Sequence, residues 1–509
     1  MRRLLTLALL LAVAPAWAEG ARDGLAAIRK TGELRWGADA QGGAPYVFQD
    51  PMDPNHLVGF EVDLSARLAE KLGVKARPVH GQWDKLLELL ERGDFDVALN
   101  GIEVAEEKRR VCLLSKPYFI AEERLTVRRS DKTAPRTLDA LKGRKVGTLP
   151  NSLAERILTR AGALVRTYDG GQNEIYEDLR LGRTDAVLLD GPIAKFYGDI
   201  EPELQTVEGS FGEVSYAIAV PLGDEALLNE LNAALDELAK DGTLGAIYQR
   251  WGIANEKTRA LVGGNLGGVA EEYERWRAAV GKLPPFWERV RTRYPQTIGL
   301  FMTGAALTLA LSLTSMALAV ALGLLLSVGR RYGPAPLRWL CTAYVEFFRG
   351  TPLLIQLTMV YFGLPELGVK LDPFLAGCLA LGMNYAAAEA ENYRAGLESV
   401  PAGQTEAAKV LGLSRWLTLR HVVGPQAVRV SIPPMTNDFI ALLKDSSLVS
   451  LVTLTELTKT YVNLANSMRD HLGLGLMVAL WYLVIGLPFA QLSKRAEAHF
   501  GRHLRKVVH

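Results

Sequence analysis

The hydrophobic and polar positions along this chain follow several distinct patterns in succession. Residues 1–3 are basic at two positions, residues 4–13 are mostly apolar, and residues 16–18 (Ala-Trp-Ala) form a small-x-small site. This layout predicts a secretory signal peptide over residues 1–18, cleaved so that the mature chain begins near Glu19. An uncleaved anchor is the alternative, but such an apolar stretch is short for a membrane span.

Residues 19–255 alternate between strand-like and helix-like patterns. Residues 33–39 alternate apolar and polar positions, and residues 95–99 form the apolar run of a buried strand. Leucines at positions 64, 68 and 72 predict a helix that stops at Gly73. The alternation predicts an α/β unit with open parallel sheets and helices on both faces.

The C-terminal part, residues 291–509, is predicted to be an all-α membrane domain. No charged residue lies between Arg293 and Arg330, which leaves a stretch long enough to span a bilayer. Residues 256–290 predict a linker before this domain, in which residues 262–268 are flexible by composition. Residues 270–279 predict a charged helical stretch that ends before Leu283-Pro-Pro285. The five predicted spans cover residues 293–330, 341–363, 373–390, 431–454 and 472–492.

The basic residues predict the orientation of these spans, because positive charge marks the cytoplasmic side of a membrane protein. We expect a multi-pass inner-membrane protein with its N-terminal domain in the periplasm and its C-terminus in the cytoplasm. The basic residues of the predicted inner segments are Arg330, Arg331, Arg338, Lys409, Arg415, Arg420, Arg429, Lys494, Arg495, Arg502, Arg505 and Lys506.

Composition narrows the functional classes. The 509 residues carry 58 Lys+Arg and 56 Asp+Glu, and the net charge of +2 excludes a strongly basic nucleic-acid-binding protein. Cys112, Cys341 and Cys378 are widely separated and give neither a metal cluster nor a disulfide framework. The sequence has no Gly-x-x-x-x-Gly-Lys-Ser/Thr motif, so we expect no ATP binding through a P-loop and no cofactor or metal in this chain.

Polar residues follow the predicted strands of the α/β unit at Asp39, Asn100, Ser152 and Asp190. Ligands of open α/β sheets bind beyond the carboxyl ends of the strands, so these side chains are candidates for ligand contacts. The alternative is that each of them only caps the helix that follows.

Five segments of the α/β unit occur in a fixed order along the chain. They are residues 57–64 (LVGFEVDL), 95–101 (FDVALNG), 115–118 (SKPY), 183–187 (RTDAV) and 242–251 (GTLGAIYQRW). As an ordered set they resemble the periplasmic binding proteins for polar amino acids. The resemblance implies lobe 1 over residues 24–125 and 217–255 and lobe 2 over residues 126–216, closing on a ligand. It also implies two crossovers, near residues 124–128 and 214–219.

The resemblance implies ligand contacts at Asp39, Trp83, Asn100, Gly101, Ser152 and Asp190. Trp83 corresponds to the aromatic residue that stacks on the ligand, with a core position as the alternative. Ser152 corresponds to the start of a helix whose free N–H groups can hold a carboxylate. Asp190 corresponds to the carboxylate that binds the ligand's ammonium, a partner that a buried ammonium requires.

Three positions depart from the pattern of that family. Lys108 stands where the family has an arginine clamp for the ligand's carboxylate, and it offers a point charge instead of a planar fork. Arg109 could replace it only if the loop shifts by one residue. Glu103 stands in place of a small hydroxyl residue and favours a cation. Tyr46 is the candidate for an aromatic contact otherwise lost after Asp39. We therefore expect a cationic or otherwise atypical amino acid.

Residues 406–412 (EAAKVLG), followed by residues 422–425 (VVGP), resemble the EAA loop of ABC-importer permeases. Residues 348–354 and 437–448 resemble polar-amino-acid permeases as well. The resemblance implies a cytoplasmic knob that docks on an ATPase, and an ordinary amphipathic interface helix is the alternative. The coupling residues of the knob would be Glu406, Ala407, Ala408 and Gly412.

Together these resemblances imply the binding and permease subunit of an ATP-driven importer of polar amino acids. The implied partners are a separate ABC ATPase, a second permease copy (as a homodimer) or a related permease, the amino acid and membrane lipid. A ligand-gated channel or receptor with a glutamate-receptor-like binding domain is the alternative, although such channels insert their spans within the binding domain. An enzyme is a further alternative because some dehydratases use this fold, but no histidine lies in a motif assigned to the cleft.

Overall fold

The computed structural model describes residues 23–168, 171–264, 266 and 269–500, so the expected signal peptide lies outside the described residues. The chain divides into two compact units. The N-terminal unit comprises Met1–Leu283 with Asn466–Arg469, and the C-terminal unit comprises Pro284–Ala465 and Asp470–His509.

The N-terminal unit is built from short strands separated by helices. Its strands are β1 (Glu33–Ala38), β2 (Phe48–Gln49), β3 (Leu57–Val58), β4 (Lys75–His80), β5 (Val97–Ala98), β6 (Leu113–Leu114), β7 (Phe119–Arg128), β8 (Lys145–Thr148), β9 (Leu164–Thr167), β10 (Ala186–Asp190), β11 (Leu204–Thr206), β12 (Glu213–Tyr216) and β13 (Ala219–Val220). Its α-helices are Gly24–Thr31, Phe60–Lys71, Leu86–Arg92, Glu106–Arg109, Leu153–Arg160, Gln172–Arg180, Gly191–Ile193, Glu225–Lys240, Thr243–Arg250, Glu256–Val262 and Glu271–Val280.

Two sheets define two lobes, which confirms the predicted two-lobed α/β fold. The sheet of lobe 1 has the order β4-β1-β5-β13-β6, with β1 parallel to β4 and β5. The sheet of lobe 2 has the order β11-β7-β10-β8-β9, and β12 pairs with β7. In both sheets the parallel strands alternate with helices along the chain, as the hydrophobic pattern indicates.

Strand β7 carries the chain from lobe 1 to lobe 2, and β12 carries it back. Phe119–Glu122 of β7 pairs with β12, whereas Glu123 and the residues after it pair with β10 in lobe 2. The first crossover therefore lies a few residues before the expected 124–128, because β7 is already part of the second sheet at Glu123. The second crossover falls at the expected place, where β12 leads into β13.

The predicted leucine stripe forms the buried face of the helix Phe60–Lys71. Leu64 and Leu68 are buried in lobe 1, and Leu72 caps the helix. Gly73 then adopts a φ of +72°, a left-handed conformation that glycine accepts without a steric penalty. The periodicity therefore identified both the face and the end of this helix.

The predicted charged helix of the linker spans Glu271–Val280 in the structure. The helix Glu271–Val280 packs onto the N-terminal unit, with Trp276 buried and its ring centroid 4.7 Å from that of Phe196. Glu272 forms an ion pair of 2.7 Å with Arg250. The composition of this segment did not predict that its helix packs on the N-terminal unit. The packing depends on the aromatic residues on one face of the helix.

The C-terminal unit is mostly helical, as predicted. Among the described residues, two helices are long and apolar enough to cross a membrane: Tyr294–Tyr332 and the His471–Arg495 part of the last helix, with mean hydropathies of 2.3 and 2.1. The α-helices of this unit are Phe286–Thr292, Tyr294–Tyr332, Ala335–Gly350, Leu353–Thr358, Pro373–Glu398, Ala402–Val410, Arg415–Thr418, Gly424–Asp445, Leu457–Met468 and His471–Phe500.

Two of the predicted spans are not single regular α-helices. The expected span 341–363 is interrupted between Gly350 and Leu353, where Thr351-Pro352 starts a new helix because proline lacks a backbone N–H. The expected span 431–454 begins earlier, at Gly424, and passes into a 3₁₀-helix at Ser446–Val452. The helix Leu457–Met468 was not predicted, since its polar residues obscure an apolar face.

The helices Tyr294–Tyr332 and Pro373–Glu398 approach each other closely. A Cβ atom added at Gly323 would lie 2.7 Å from Glu389 Cβ, so only glycine allows this contact. Polar contacts also join helices inside this unit: Asn392 donates to Asp438 at 2.8 Å, and the Tyr385 hydroxyl donates to Asp445 at 2.7 Å. Such interior polar contacts are expected for helices that cross a bilayer.

Candidate functional site

Asp39 lies at the end of β1, at the edge of the cleft between the lobes. Its carboxylate accepts hydrogen bonds from the backbone N–H groups of Gln41 at 2.9 Å and Trp83 at 3.1 Å. Its own N–H donates to Asn100 Oδ1 at 2.9 Å. Asp39 therefore caps the 3₁₀-helix that follows it, which is the alternative role considered for this residue. It also fixes the backbone at Trp83.

Trp83 is held at the cleft and is not a core residue. Its indole Nε1–H donates to the carbonyl oxygen of Asn100 at 2.9 Å, and its ring is only half-buried. Lys108 Nζ lies 5.8 Å from the ring centroid. A fixed, partly open aromatic face is suited to stacking on a ligand and to attracting a cation.

The backbone of Asn100 and Gly101 is already hydrogen-bonded within lobe 1. Gly101 N–H donates to Glu61 Oε1 at 2.7 Å, and the Asn100 carbonyl accepts from Trp83. Glu61 also accepts from the Tyr118 hydroxyl at 2.5 Å. Asn100 and Gly101 therefore shape the cleft in the structure. Glu61, which holds them, is a site residue that sequence analysis missed.

Glu61 is buried in lobe 1 at the start of a helix. Burial raises the pKa of its carboxyl to about 7, and hydrogen bonds from Tyr118, Gly101 and Asn100 oppose that rise. A glutamate between Phe60 and Val62, at the start of an apolar helix, was the sequence signal for this residue.

Lys108 and Arg109 can be told apart by their exposure. Lys108 is half-buried next to Trp83, whereas Arg109 is exposed to solvent. Burial lowers the pKa of Lys108 from its usual value, while Glu103 nearby opposes the change. Among the described residues, Lys108 forms no ion pair within 4 Å. The geometry therefore favours Lys108 over Arg109 as the cation that faces the cleft.

Glu103 contacts the start of the helix Leu153–Arg160, which Ser152 caps, in an arrangement the sequence did not suggest. Glu103 accepts a hydrogen bond from Leu153 N–H at 2.8 Å and forms an ion pair with Arg156 at 3.0 Å. The Ser152 hydroxyl caps the same helix by accepting from Glu155 N–H at 3.1 Å. The helix start expected to hold the ligand's carboxylate is thus occupied by Glu103, whose charge is compensated by Arg156.

Asp190 and Tyr46 face each other from opposite lobes. Asp190 ends β10, is buried, and accepts from Ile193 N–H at 3.0 Å, so it also caps the helix that follows. Burial raises the pKa of Asp190 to about 6, and the hydrogen bond from Ile193 N–H opposes the rise. The ring of Tyr46 packs edge-on against Tyr216, with 5.9 Å between centroids.

Sequence analysis missed several residues at this cleft. Tyr216 belongs to the crossover strand β12, and Arg156 belongs to the helix Leu153–Arg160, so only the fold brings them next to Asp190 and Glu103. The residues missed are Glu61, Tyr118, Glu123, Arg156 and Tyr216.

The predicted coupling segment forms a short helix followed by a tight turn. The helix Ala402–Val410 includes Glu406 and Ala407, which are exposed, and Ala408, which is buried. Gly412 has a φ of +77° and ends this segment. Val410, the last residue of the helix, and Leu411 are 87% and 79% exposed, so this segment presents apolar side chains at its surface.

Two families match this chain in separate regions. Residues 34–254 match the bacterial extracellular solute-binding proteins, family 3, and residues 319–501 match the binding-protein-dependent transport system inner membrane component. The fold and these two regions define a solute-binding protein joined to a permease.

Individual relatives cover one region each. The probable glutamine ABC transporter permease protein GlnM of Bacillus subtilis is 38% identical over 205 residues, which is 40% of this chain and 95% of GlnM. The L-cystine-binding protein TcyJ of Escherichia coli is 35% identical over 210 residues, which is 41% of this chain and 78% of TcyJ. A mutant of ArgBP from T. maritima has 30% identity, with 45% of this chain and 100% of ArgBP covered and a TM-score of 0.42.

This chain belongs to the family of amino-acid ABC importers, in which it is a binding protein and a permease fused in one polypeptide. A periplasmic binding domain and a permease domain make it an inner-membrane protein. These relatives are transport permeases and binding proteins and not enzymes, and none of them is named as a ligand-gated channel.

Proposed function

We propose that this chain captures a polar amino acid between its two lobes and passes it through its own permease domain. The observations that carry the proposal are a buried carboxylate at the end of β10, Asp190, and a half-buried cation beside Trp83, Lys108, which forms no ion pair within 4 Å among the described residues. An α-amino acid presents an ammonium and a carboxylate, so it complements both groups. The names of the relatives, which include glutamine and cystine transport proteins, agree with this ligand class.

Asp190 is proposed to bind the ligand's ammonium. A carboxylate that is buried without a cation loses the free energy of its hydration. The ammonium of a bound ligand offsets this loss by pairing with the carboxylate. Tyr46 and Tyr216 lie beside it and close the apolar wall of the site. The helix-capping bond from Ile193 fixes the carboxylate in place and leaves its second oxygen for the ligand.

Lys108 is proposed to hold the ligand's carboxylate, with Trp83 stacked on the ligand's body. Lys108 lies over the Trp83 ring, and its half-buried position strengthens a charged interaction. Asp39, Asn100 and Gly101 are proposed to act indirectly, by fixing the Trp83 loop through their hydrogen bonds.

The permease domain is proposed to be driven by a separate ABC ATPase, since this chain has no P-loop motif. The ATPase would dock on the knob at Glu406, Ala407, Ala408 and Gly412, whose exposed Val410 and Leu411 support a protein contact. We also propose five spans in membrane lipid, a homodimer of permease domains, and a cytoplasmic C-terminus.

Uptake of labelled amino acids by cells that produce this chain with its ATPase tests the proposal. We expect uptake that is lost in Asp190→Asn and in an ATPase variant that cannot hydrolyse ATP. Uptake that persists in Asp190→Asn, or flux that needs no ATP, would contradict an importer fed by this cleft.

A further inference from the structure

Glu123 stands directly opposite Asp190 on neighbouring strands. Strands β7 and β10 are antiparallel, and the two residues are register partners. Directly opposed residues of an antiparallel pair point to the same face, with Cβ atoms about 5 Å apart. Two carboxyl groups therefore lie side by side at the cleft, an arrangement that is unfavourable without a cation between or beside them.

The surroundings of Glu123 do not supply that cation. The residue is 2% exposed, and its Oε2 atom is buried without a hydrogen-bond partner among the described residues. The charged groups that act on it are Asp190, Glu103 and Arg156. Arg156 lowers the pKa of Glu123, but it is paired with Glu103 at 3.0 Å and forms no ion pair with Glu123 within 4 Å among the described residues.

A purely structural role does not account for Glu123. A buried carboxyl that stays protonated donates its O–H to a neighbouring acceptor, and a buried carboxylate accepts from donors. Neither kind of bond is present for its side chain among the described residues. Burial, together with Asp190 and Glu103, raises the pKa of Glu123 well above its usual range, and this cost would be relieved by a bound cation.

We propose that Glu123 binds a second cationic group of the ligand, the ammonium or guanidinium of its side chain, so that the preferred ligand is a dibasic amino acid. This inference rests on the proposed function, in which Asp190 binds the α-ammonium. The cation preference expected from Glu103 is thereby assigned to Glu123, because Glu103 is neutralised by Arg156. A guanidinium would suit this carboxylate best, since its planar fork can engage both oxygens.

Titration of the purified full chain with L-arginine, L-lysine and L-glutamine tests this assignment. In Glu123→Gln, affinity for arginine and lysine should fall about 10- to 100-fold, the range for loss of a charged hydrogen bond. Affinity for glutamine should change by less than about threefold, because glutamine has no second cation. Asp190→Asn should instead lose all three ligands.

Glu122→Gln is the matched control. It makes the same chemical change one residue earlier on β7, where the side chain points to the other face and is partly exposed, 3.7 Å from Arg124. It should leave all three affinities unchanged. Glu123→Asp keeps the charge and should retain part of the preference for arginine over glutamine. If Glu123→Gln unfolds, Glu123→Asp is the variant that tests the inference.

Three outcomes would overturn the inference. One is an unchanged ratio of arginine to glutamine affinity in Glu123→Gln. Another is an equal loss of both ligands, which would mean that Glu123 shares the α-ammonium with Asp190. In either case the wild-type chain still binds amino acids and the proposed function stands. If the wild-type chain binds no amino acid, the proposed function fails together with the inference.

Discussion

Glu103 of lobe 1 and Arg156 of lobe 2 form an ion pair of 3.0 Å across the cleft. Glu103 also accepts a hydrogen bond from Leu153 N–H at 2.8 Å, at the positive end of a helix in lobe 2. A second contact between the lobes is the hydrogen bond from Ala44 N–H to the Tyr197 hydroxyl at 2.9 Å. These contacts join the two lobes, and opening of the cleft must break them.

Arg156→Ala should shift the ligand-free chain toward an open cleft. The pair is partly solvent-exposed on the arginine side, so the expected loss of closed-state stability is about 0.5–1 kcal/mol. Distances between spin labels placed on the two lobes should broaden and lengthen in the absence of ligand. Arg160→Ala, on the exposed end of the same helix, is the control and should leave the distances unchanged.

If the distance distribution of Arg156→Ala matches that of the wild type, the Glu103–Arg156 pair does not hold the lobes. The remaining bond from Leu153 N–H would then be sufficient.

Asp190→Asn should stabilise the empty chain near pH 7.5 while abolishing stabilisation by amino acids. Burial raises the pKa of Asp190 to about 6 from 3.8, so its proton is held more tightly in the folded than in the unfolded chain. The empty wild-type chain therefore loses up to about 3 kcal/mol of stability as pH rises from about 4 to about 6, and no more above that. Asparagine does not ionise and keeps the cap on Ile193.

Thermal unfolding of both chains between pH 4 and pH 8, with and without amino acids, measures this effect. A stability of the wild type that rises with pH over this range, relative to Asp190→Asn, would contradict a raised pKa at this carboxyl.

Trp276→Ala should destabilise the N-terminal unit by about 3–5 kcal/mol, the usual cost of truncating a buried aromatic residue. Trp276 is 4% exposed and packs against Phe196 with 4.7 Å between centroids. Calorimetric unfolding of the full chain measures the loss. Trp287→Ala, at a side chain 72% exposed, should change the stability by less than about 0.5 kcal/mol. Equal effects of the two substitutions would mean that this helix is a loose tether.

Gly412→Val should abolish uptake while leaving amino-acid binding unchanged. Gly412 has a φ of +77°, and a β-branched residue is strained in this conformation although nothing crowds its Cβ position. Gly412→Asn is the matched control, because asparagine tolerates a left-handed backbone and should keep most of the uptake. Normal uptake by Gly412→Val would mean that the turn at Gly412 has no role in coupling to the ATPase.

Much of the fold could be predicted from periodicity, and the exceptions have physical causes. The leucines at 64, 68 and 72 gave a helix and its end, and the long apolar stretch after Arg293 gave the helix Tyr294–Tyr332. Packing of the helix Glu271–Val280 was not predictable, because its charged residues outnumber the aromatic ones that are buried. The break at Thr351-Pro352 was hidden inside an apolar run, although its proline was the signal.

The site was harder to predict because contacts between distant segments define it. Asp190 ends β10 and Trp83 follows β4, and both remain predicted ligand contacts, whereas Glu103 forms an ion pair with Arg156, a residue 53 positions away. Glu123 left a signal in the sequence: it occupies the buried phase of β7, in line with Ala121, Leu125 and Val127. A charged residue at a buried strand position marks either a paired charge or a ligand contact.

Calorimetric titration of the purified full chain with the common amino acids, one at a time, tests the central claim most directly. We predict tight binding of one or a few polar amino acids by the wild-type chain and no binding of them by Asp190→Asn. Binding that survives in Asp190→Asn, or no binding of any amino acid by the folded wild-type chain, would contradict the assignment of this cleft as the site of amino-acid capture.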